Sequence, residues 1–388
     1  MFTINRFIFC WAKAKPTLGL ALVFLAGFSF AGTHEVSLRE KIGQMLMFGF
    51  NAQAVNAKSP VVEWINKDNL GGVIAFDVDE SKQKLGKNIN SKTQIHLLTQ
   101  ELQAFTKSAN NQHNRPNYPL LIAIDYEGGR VDRLKSAEGF EPTLSPSIMG
   151  MVTQDKLKHE ISKMTKNLKS AGFNLDLAPI VDVNVNPKNP VIAAYERSYS
   201  SNPEKVTQDA KVLMNALRKN NIQCTLKHFP GHGSSAEDSH DGFVDITKTW
   251  QSYELYPYQY LISVNPTCGV IMAGHLINKF LDKSALPATL SYKMLTILLR
   301  NHLHFKGVIL SDDMQMKAIA DNYSLEEAVT LAVNAGVDIL LFTNQKPDKQ
   351  IVPKKIIDLI ESQVKKGKIA QSRINESYER IQGLKSAI

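Results

Sequence analysis

The chain has 388 residues, of which 43% are hydrophobic and 21% are charged, and its formal net charge is +8. An ordinary hydrophobic fraction at this length allows one main domain with a large buried core. No dense run of Lys and Arg with interleaved aromatic residues occurs, so the composition argues against nucleic acid as a partner.

The first 31 residues have the order of a secretory leader. Three basic residues and no acidic residue precede an apolar run over 18–30, which ends in a small-x-small sequence at Ala31. This order predicts a signal peptide over 1–31, a single domain over 32–388 and an exported, periplasmic protein without a stable membrane span. Cleavage would lower the net charge to +5. The alternative is an uncleaved N-terminal anchor in the inner membrane.

Short apolar runs alternate with amphipathic segments along the rest of the chain. The apolar runs predict eight strands, at 45–49, 72–76, 120–125, 174–178, 225–228, 270–273, 308–311 and 339–342. The amphipathic segments predict helices that include 93–109, 156–170, 203–220, 291–301 and 324–334. About eight such units with right-handed crossovers predict the α/β class and a single (β/α)8 TIM-type barrel.

Local signals mark the helix starts and the cysteines. Ser91, Thr153 and Ser324 precede amphipathic segments and are expected to cap them. Only Cys224 and Cys268 follow the predicted leader, and both fall at the starts of predicted strands. Buried free thiols are the favoured interpretation, and a disulfide between neighbouring strands stays open.

The sequence K-H-F-P-G-H-G at 227–233, followed by D-S-H at 238–240, is the most informative stretch. Pro230 lacks an N–H and the glycines favour turns, so this stretch cannot place its histidines on one helical face. It predicts a strand end that runs into a polar loop, the part of a barrel where enzymes keep their chemistry.

A metal site in this loop is the first alternative. Its ligands would be His228, His232, Asp238 and His240. Zinc needs ligands that converge tetrahedrally at about 2 Å, and nothing in the spacing enforces that geometry. We therefore expect no metal and no cofactor, and we interpret His232 as a residue that orders the loop.

Four separated motifs lie along the chain: D-Y-E-G-G-R-V-D-R at 125–133, R-S-Y at 197–199, the 227–240 stretch and S-D-D-M at 311–314. Together they resemble the motifs of glycoside hydrolase family 3, in its bacterial NagZ-type β-N-acetylhexosaminidases. Their order covers roughly residues 38 to 345. The resemblance implies a retaining exo-β-N-acetylglucosaminidase that acts on terminal β-linked N-acetylglucosamine of small peptidoglycan-derived saccharides or muropeptides.

The resemblance also implies the catalytic residues. Asp312, at the end of a predicted strand, corresponds to the nucleophile. His240 corresponds to the proton donor, with Asp238 orienting its imidazole. The alternatives are that Asp312 and Asp313 only cap a helix near Met314, and that His240 is a surface residue bonded to Asp238.

Five further residues are implied to bind the sugar: Asp125, Arg133, Arg197, Lys227 and His228. Charged side chains of this kind form paired hydrogen bonds to neighbouring hydroxyl groups. A structural ion-pair cluster under the barrel rim is the alternative. The pair Gly128-Gly129 is expected to let its loop approach a ligand closely. Glu127 and Arg130 are ambiguous and lie outside the predicted set.

Two rival functions stay open. The first is another family 3 β-glycosidase or a glycoside phosphorylase, since a histidine donor carries no negative charge to repel phosphate. The second is a non-catalytic sugar-binding barrel. The sequence does not predict the oligomeric state.

Overall fold

The computed structural model describes residues 36–79, 84–238, 242–344 and 350–388. Eight parallel strands close into a barrel in which each strand pairs with its neighbours in chain order. In chain order they are β1 Leu46–Gly49, β2 Gly72–Ile74, β3 Leu121–Ile124, β4 Leu175–Asp176, β5 Gln223–Phe229, β6 Val270–Ala273, β7 Val308–Asp313 and β8 Ile339–Phe342. The predicted (β/α)8 barrel is therefore confirmed.

Closure joins β1 to β8, where Met47 pairs with Leu341, and β1 to β2, where Met47 pairs with Gly72. All residues of β1 to β6 and of β8 are buried. Near-continuous apolar runs are typical of parallel strands that are covered on both faces. Only β7 ends in two partly exposed residues, Asp312 and Asp313.

Helices surround the barrel. The α-helices are α1 Leu38–Gln44, α2 Pro60–Asp68, α3 Lys92–Gln112, α4 Pro146–Met149, α5 Gln154–Ala171, α6 Pro203–Lys219, α7 Tyr256–Ser263, α8 Lys317–Ala320, α9 Leu325–Ala335, α10 Pro353–Lys365 and α11 Gln371–Lys385. Between β6 and β7 the crossover is a π-helix, Lys293–His302. The predicted caps are confirmed: the side chains of Ser91, Thr153 and Ser324 each accept a backbone N–H from the first turn.

Strand β4 is shorter than the predicted 174–178. The side chain of Asn174 takes over the pairing at its start, because its Oδ1 accepts the Ile122 N–H at 2.7 Å and its Nδ2 donates to the Leu120 carbonyl at 2.8 Å. A side-chain amide thus stands in for main-chain ladder bonds.

The favoured expectation for the cysteines is wrong. Cys224 on β5 and Cys268 just before β6 form a disulfide, with Cα atoms 5.1 Å apart. The two positions meet because β5 and β6 are neighbours in the barrel. Strand adjacency follows from the apolar runs, but the register that brings two side chains together does not.

The predicted leader, 1–31, lies outside the described residues. Across the described ranges, no helix combines the length and apolar character needed to cross a membrane. Residues from Val36 onward form one compact unit.

Candidate active site

A buried cluster of charges lies where β3 and β5 end. The Nζ atom of Lys227 is 2.8 Å from Oδ1 of Asp125 and 2.8 Å from Oε1 of Glu127. Lys227 is only 2% exposed, whereas the Asp125 side chain is 19% exposed. Burial disfavours the ammonium, but the two carboxylates outweigh it and raise the pKa of Lys227. Asp125 is therefore the member of this cluster that reaches toward solvent.

Arg197 completes the cluster through Glu127. Its Nε and Nη2 each donate to the Glu127 carboxylate at 2.8 Å, which is the paired geometry of a strong guanidinium–carboxylate contact. Burial alone would raise the pKa of Glu127, but Arg197 and Lys227 lower it to about 2. Glu127 thus stays ionised between two cations beneath the rim of the barrel.

A short hairpin carries Glu127 into this position. Tyr126–Gly128 pairs antiparallel with Val131–Asp132. Gly128 and Gly129 both have positive φ, and a Cβ on Gly128 would lie 2.3 Å from the Leu144 carbonyl oxygen. The glycine pair is required by its own turn and by close packing against neighbouring backbone. The expected close approach of this loop to a ligand stays a prediction.

His228, the next residue after Lys227, is held by Asp182. The Asp182 carboxylate accepts the backbone N–H groups of His228 at 3.2 Å and His232 at 2.7 Å, and it lies 2.7 Å from Nδ1 of His228. Burial would raise the pKa of Asp182, yet interaction with His228 lowers it. An ionised carboxylate only accepts hydrogen bonds, so Nδ1 carries the proton and Nε2 is available for a ligand.

His232 orders the loop, as predicted. Its Nδ1 lies 2.8 Å from the Ser235 hydroxyl, and the side chain is buried. Burial lowers the pKa of His232 to about 4, so the ring is neutral. In the described part of the chain, no three His, Cys, Asp or Glu side chains are arranged to hold a metal.

Asp312 stands at the carboxyl end of β7, where the strand emerges from the core. Its Oδ1 accepts the backbone N–H of Asp313 at 2.8 Å. In (β/α)8 barrels the reacting side chains come from this end of the strands. The next helix, α8, begins only at Lys317, so Asp312 does not cap a helix near Met314.

The neighbouring Asp313 has a structural task. Its carboxylate accepts the Thr343 hydroxyl at 2.5 Å, the Thr343 N–H at 3.2 Å and the Gln315 N–H at 3.1 Å. Burial raises the pKa of Asp313 to about 6, and these bonds oppose the rise. The carbonyl of Asp313 lies 2.9 Å from Nε2 of the buried His275, which follows β6. Asp313, the residue next to Asp312, is thereby held by residues that follow β6 and β8.

Arg133 lies apart from this cluster. Its Nη1 is 3.4 Å from Oδ1 of Asp77, the loop residue after β2, and its guanidinium carbon lies 5.7 Å from the centre of the Phe76 ring. The side chain is 30% exposed. Among the described residues it makes no ion pair with Asp125 or Glu127, so it borders the barrel mouth at a different strand end.

The structure describes one residue of the predicted proton-donor pair. Asp238 is described and partly buried, whereas His240 lies outside the described residues. Gly242 is the next residue that the structure describes. The aromatic ring of Phe243 lies edge-on to that of Tyr323, with the ring centroids 6.4 Å apart. Tyr323 belongs to the segment that follows Asp312. The loop after β5 therefore reaches the segment after β7.

Two residues of this site were not in the predicted set. Glu127 stands two residues after Asp125, a spacing that places both side chains on one face of extended chain, so a signal for it was present. Asp182 follows the apolar stretch after β4, and the sequence motifs assign it no role. An acid beyond a strand end is the same kind of signal as the one that identifies Asp312.

Comparison with known sequences gives one family. Residues 37–384 match the Glycosyl hydrolase family 3 N terminal domain. Beta-hexosaminidase A of Pseudoalteromonas piscicida is 32% identical over 386 residues, and the match spans 90% of this chain but only 61% of that protein. Beta-hexosaminidase LpqI of Mycobacterium tuberculosis is 29% identical over 357 residues, which span 90% of this chain and 83% of that protein.

Solved structures of the same kind share the fold. A glycoside hydrolase family 3 beta-N-acetylglucosaminidase from Paenibacillus sp. str. FPU-7 superposes with a TM-score of 0.79 at 29% identity, over 91% of this chain and 63% of that one. LpqI of M. tuberculosis superposes with a TM-score of 0.73 at 28% identity, over 90% of this chain and 94% of that one.

Proposed function

Because the chain belongs to glycosyl hydrolase family 3, we propose that it is a retaining exo-β-N-acetylglucosaminidase. Its substrate would be a small saccharide that ends in β-linked N-acetylglucosamine. The names of its relatives, beta-hexosaminidase and beta-N-acetylglucosaminidase, support this substrate class. The observation that carries the proposal is a partly exposed carboxylate, Asp312, at the same barrel end as a pre-formed cluster of charged groups.

Asp312 would be the nucleophile. In a retaining glycosidase a carboxylate attacks the anomeric carbon, and the covalent glycosyl ester is then hydrolysed by water. Asp312 is suited to this because it emerges from β7, its carboxylate accepts the Asp313 N–H, and Asp313 itself is held by His275 and Thr343. A nucleophile on a rigid strand end needs little reorganisation when the sugar binds.

Asp125, Lys227 and His228 would hold the sugar from β3 and β5. Lys227 and Asp125 offer a donor and an acceptor 2.8 Å apart, which matches a pair of neighbouring hydroxyl groups. His228 adds Nε2, since Asp182 fixes its other nitrogen. Arg197 would act from beneath through Glu127, and Arg133 would contact the substrate from its place beside Asp77, the loop residue after β2.

His240 would protonate the leaving oxygen, with Asp238 supporting its imidazolium form. An imidazole with an ordinary pKa of about 6.5 gives and takes a proton near neutrality. Support for this role comes from the motif itself and from Phe243, whose contact with Tyr323 draws the loop toward the segment after Asp312.

We propose that the protein is exported and that residues 32–388 form the mature chain. The basic, apolar and small-residue order of residues 1–31 supports a leader. The Cys224–Cys268 disulfide gives independent support, since disulfides persist mainly in oxidising compartments such as the periplasm. Peptidoglycan-derived saccharides are the substrates that an exported β-N-acetylglucosaminidase would meet in the bacterial wall.

The test is a panel of four chromogenic glycosides: β-N-acetylglucosaminide, β-glucoside, β-xyloside and β-N-acetylgalactosaminide. The proposal expects the N-acetylglucosaminide to be turned over fastest, followed by release of the sugar from a peptidoglycan disaccharide. A 2-deoxy-2-fluoro glycoside should add one glycosyl unit to the peptide that contains Asp312. Fastest turnover of the glucoside or xyloside, or no adduct and no turnover, would refute the assignment.

Phosphorolysis is separated by changing the buffer. Hydrolysis predicts equal aglycone release in phosphate and in a non-nucleophilic buffer, with free sugar as the product. Faster release in phosphate together with a sugar 1-phosphate product would assign a phosphorylase instead.

A further inference from the structure

Asp176 is a fully buried acid for which the proposed mechanism has no task. It is the last residue of β4, and it pairs in register with Ile124 of β3 and Cys224 of β5. Its exposed fraction is 0%. It therefore lies between the two strands that carry Asp125 and Lys227.

The carboxyl group of Asp176 is incompletely bonded. Oδ1 accepts the backbone N–H of Tyr126 at 3.2 Å. Oδ2 is buried and makes no hydrogen bond within the described ranges. No lysine, arginine or histidine of those ranges lies within 4.0 Å of this carboxyl group, so it has no ion-pair partner there. A buried carboxylate without a cation is strongly disfavoured, whereas a carboxylic acid is tolerated.

The charges around Asp176 are already balanced. Lys227 and Arg197 contribute two positive charges, and Asp125 and Glu127 contribute two negative charges, with all four groups joined by contacts of 2.8 Å. A charge on Asp176 would leave this buried cluster with one excess negative charge. It would also compete with Asp125 for Lys227.

The electrostatics agree with a neutral acid. Burial raises the pKa of Asp176 well above its usual value; Lys227 opposes the rise, and the negative charges of Asp125 and Glu127 add to it. The nearby phenols of Tyr126 and Tyr199 are buried, and burial raises the pKa of each, so neither adds a charge.

We propose that Asp176 is a positioning residue for sugar binding that stays protonated while the enzyme works. As a neutral acid it holds the Tyr126 N–H, and with it the turn that carries Asp125, without drawing Lys227 away from Asp125. This inference rests on the proposed function only for the identity of the sugar. The protonation itself is a property of the unliganded protein.

Infrared spectroscopy measures the protonation directly. Protein labelled with [4-¹³C]aspartate, compared with its Asp176→Asn variant at pH 8, should show the carbonyl stretch of one protonated aspartic acid that the variant lacks. Burial raises the pKa of Asp132 and of Asp313 to about 6, so both are ionised at that pH. Absence of such a band in the wild-type protein would overturn the proposal, whether or not the variant folds.

Binding of N-acetylglucosamine, measured by calorimetry, tests the positioning. Asp176→Asn imitates the neutral acid, so its Kd should stay within about threefold of wild type. Asp176→Leu leaves the Tyr126 N–H unbonded and should raise Kd by about tenfold or more, with a larger change in KM than in kcat. Asp155→Asn, at a fully exposed position on α5, should change neither value.

Two outcomes contradict the positioning role. Equal weakening in the Asn and Leu variants would mean that an ionised Asp176 is required. Wild-type binding in the Leu variant would mean that the residue positions nothing. If the wild-type protein binds no N-acetylglucosamine but shows the infrared band, the proposed function fails while the protonated state of Asp176 stands.

Discussion

Lys227 on β5 and Asp125 at the end of β3 form an ion pair at 2.8 Å, although β4 lies between their strands. The same ammonium contacts Glu127 at 2.8 Å, so one cation serves two carboxylates. Removal of the cation would leave both carboxylates under-compensated in a site that is almost closed to water. The pair therefore stabilises the fold, besides its proposed role in sugar binding.

Lys227→Met should destabilise the protein by about 3–5 kcal/mol, because breaking a buried ion pair leaves the partner charge unpaired. The measurement is urea unfolding at pH 7. Lys67→Met is the matched control, since Lys67 is 71% exposed and pairs with Glu63 on the surface of α2. This variant should unfold close to the wild-type midpoint, because an exposed ion pair contributes little to stability. Equal midpoints for the two variants would contradict the prediction.

Asp312→Asn should lower turnover of every substrate by several orders of magnitude, because the covalent ester cannot form without the carboxylate. The thermal unfolding midpoint should stay close to that of wild type, since Asp312 is partly exposed at a strand end. Asp155→Asn is the control with unchanged activity. A residual rate above about a tenth of wild type would remove Asp312 from the role of nucleophile.

The barrel could be predicted because each of its strands carries a local signal. Apolar runs such as 270–273 and 339–342 coincide with β6 and β8 in both bounds. The position of Asp312 was also predictable, because the acids that follow the apolar run 308–310 lie at the end of a strand.

Pairing between distant residues could not be predicted in the same way. Glu127 and Arg197 are 70 positions apart, and His228 and Asp182 are 46 apart. Each pair depends on the strand register and on the direction of the side chains across the barrel. The hydrophobic periodicity of the sequence specifies neither of them. The favoured expectation of free thiols at Cys224 and Cys268 was wrong for the same reason.

Removal of the disulfide in a Cys224→Ala, Cys268→Ala double variant should lower the free energy of unfolding. The bridge spans a sequence separation of 44. Loop closure of that length corresponds to about 4 kcal/mol in the chain-entropy treatment. A reducing agent should lower the melting temperature of the wild-type protein and leave that of the double variant unchanged. Equal sensitivity of both proteins to the reductant would contradict a disulfide in the native protein.

Lys385 on α11 is a buried ammonium with one hydrogen bond, 2.7 Å to Oε1 of Gln44, and no ion pair within the described residues. Burial lowers its pKa from 10.5 to about 7. The unfolded chain therefore binds an extra proton between about pH 7 and pH 10.5, and stability rises with pH across that window. Below pH 7 Lys385 is charged in both the folded and the unfolded protein, so the full free-energy cost of burying its ammonium applies.

Lys385→Met should accordingly raise the free energy of unfolding at pH 7 by about 3–5 kcal/mol, less the lost bond to Gln44. The gain should shrink toward pH 10, because the wild-type lysine is neutral there in the folded state. Denaturant unfolding at several pH values measures this, with exposed Lys67→Met as control. A variant that is less stable than wild type at pH 7 would show that the ammonium is adequately solvated.

The proton donor can be tested through the leaving group. If His240 delivers the proton, His240→Ala should lose much activity on a natural disaccharide but keep appreciable glycosylation by a dinitrophenyl glycoside, because an activated phenolate departs with little help. Asp238→Asn should show a milder form of the same bias, since the His240 imidazole is present in this variant but poorly oriented. Burst kinetics with both substrates measure the effect. Equal losses on both substrates for His240→Ala would mean that the histidine binds or shapes the loop and that another residue is the acid.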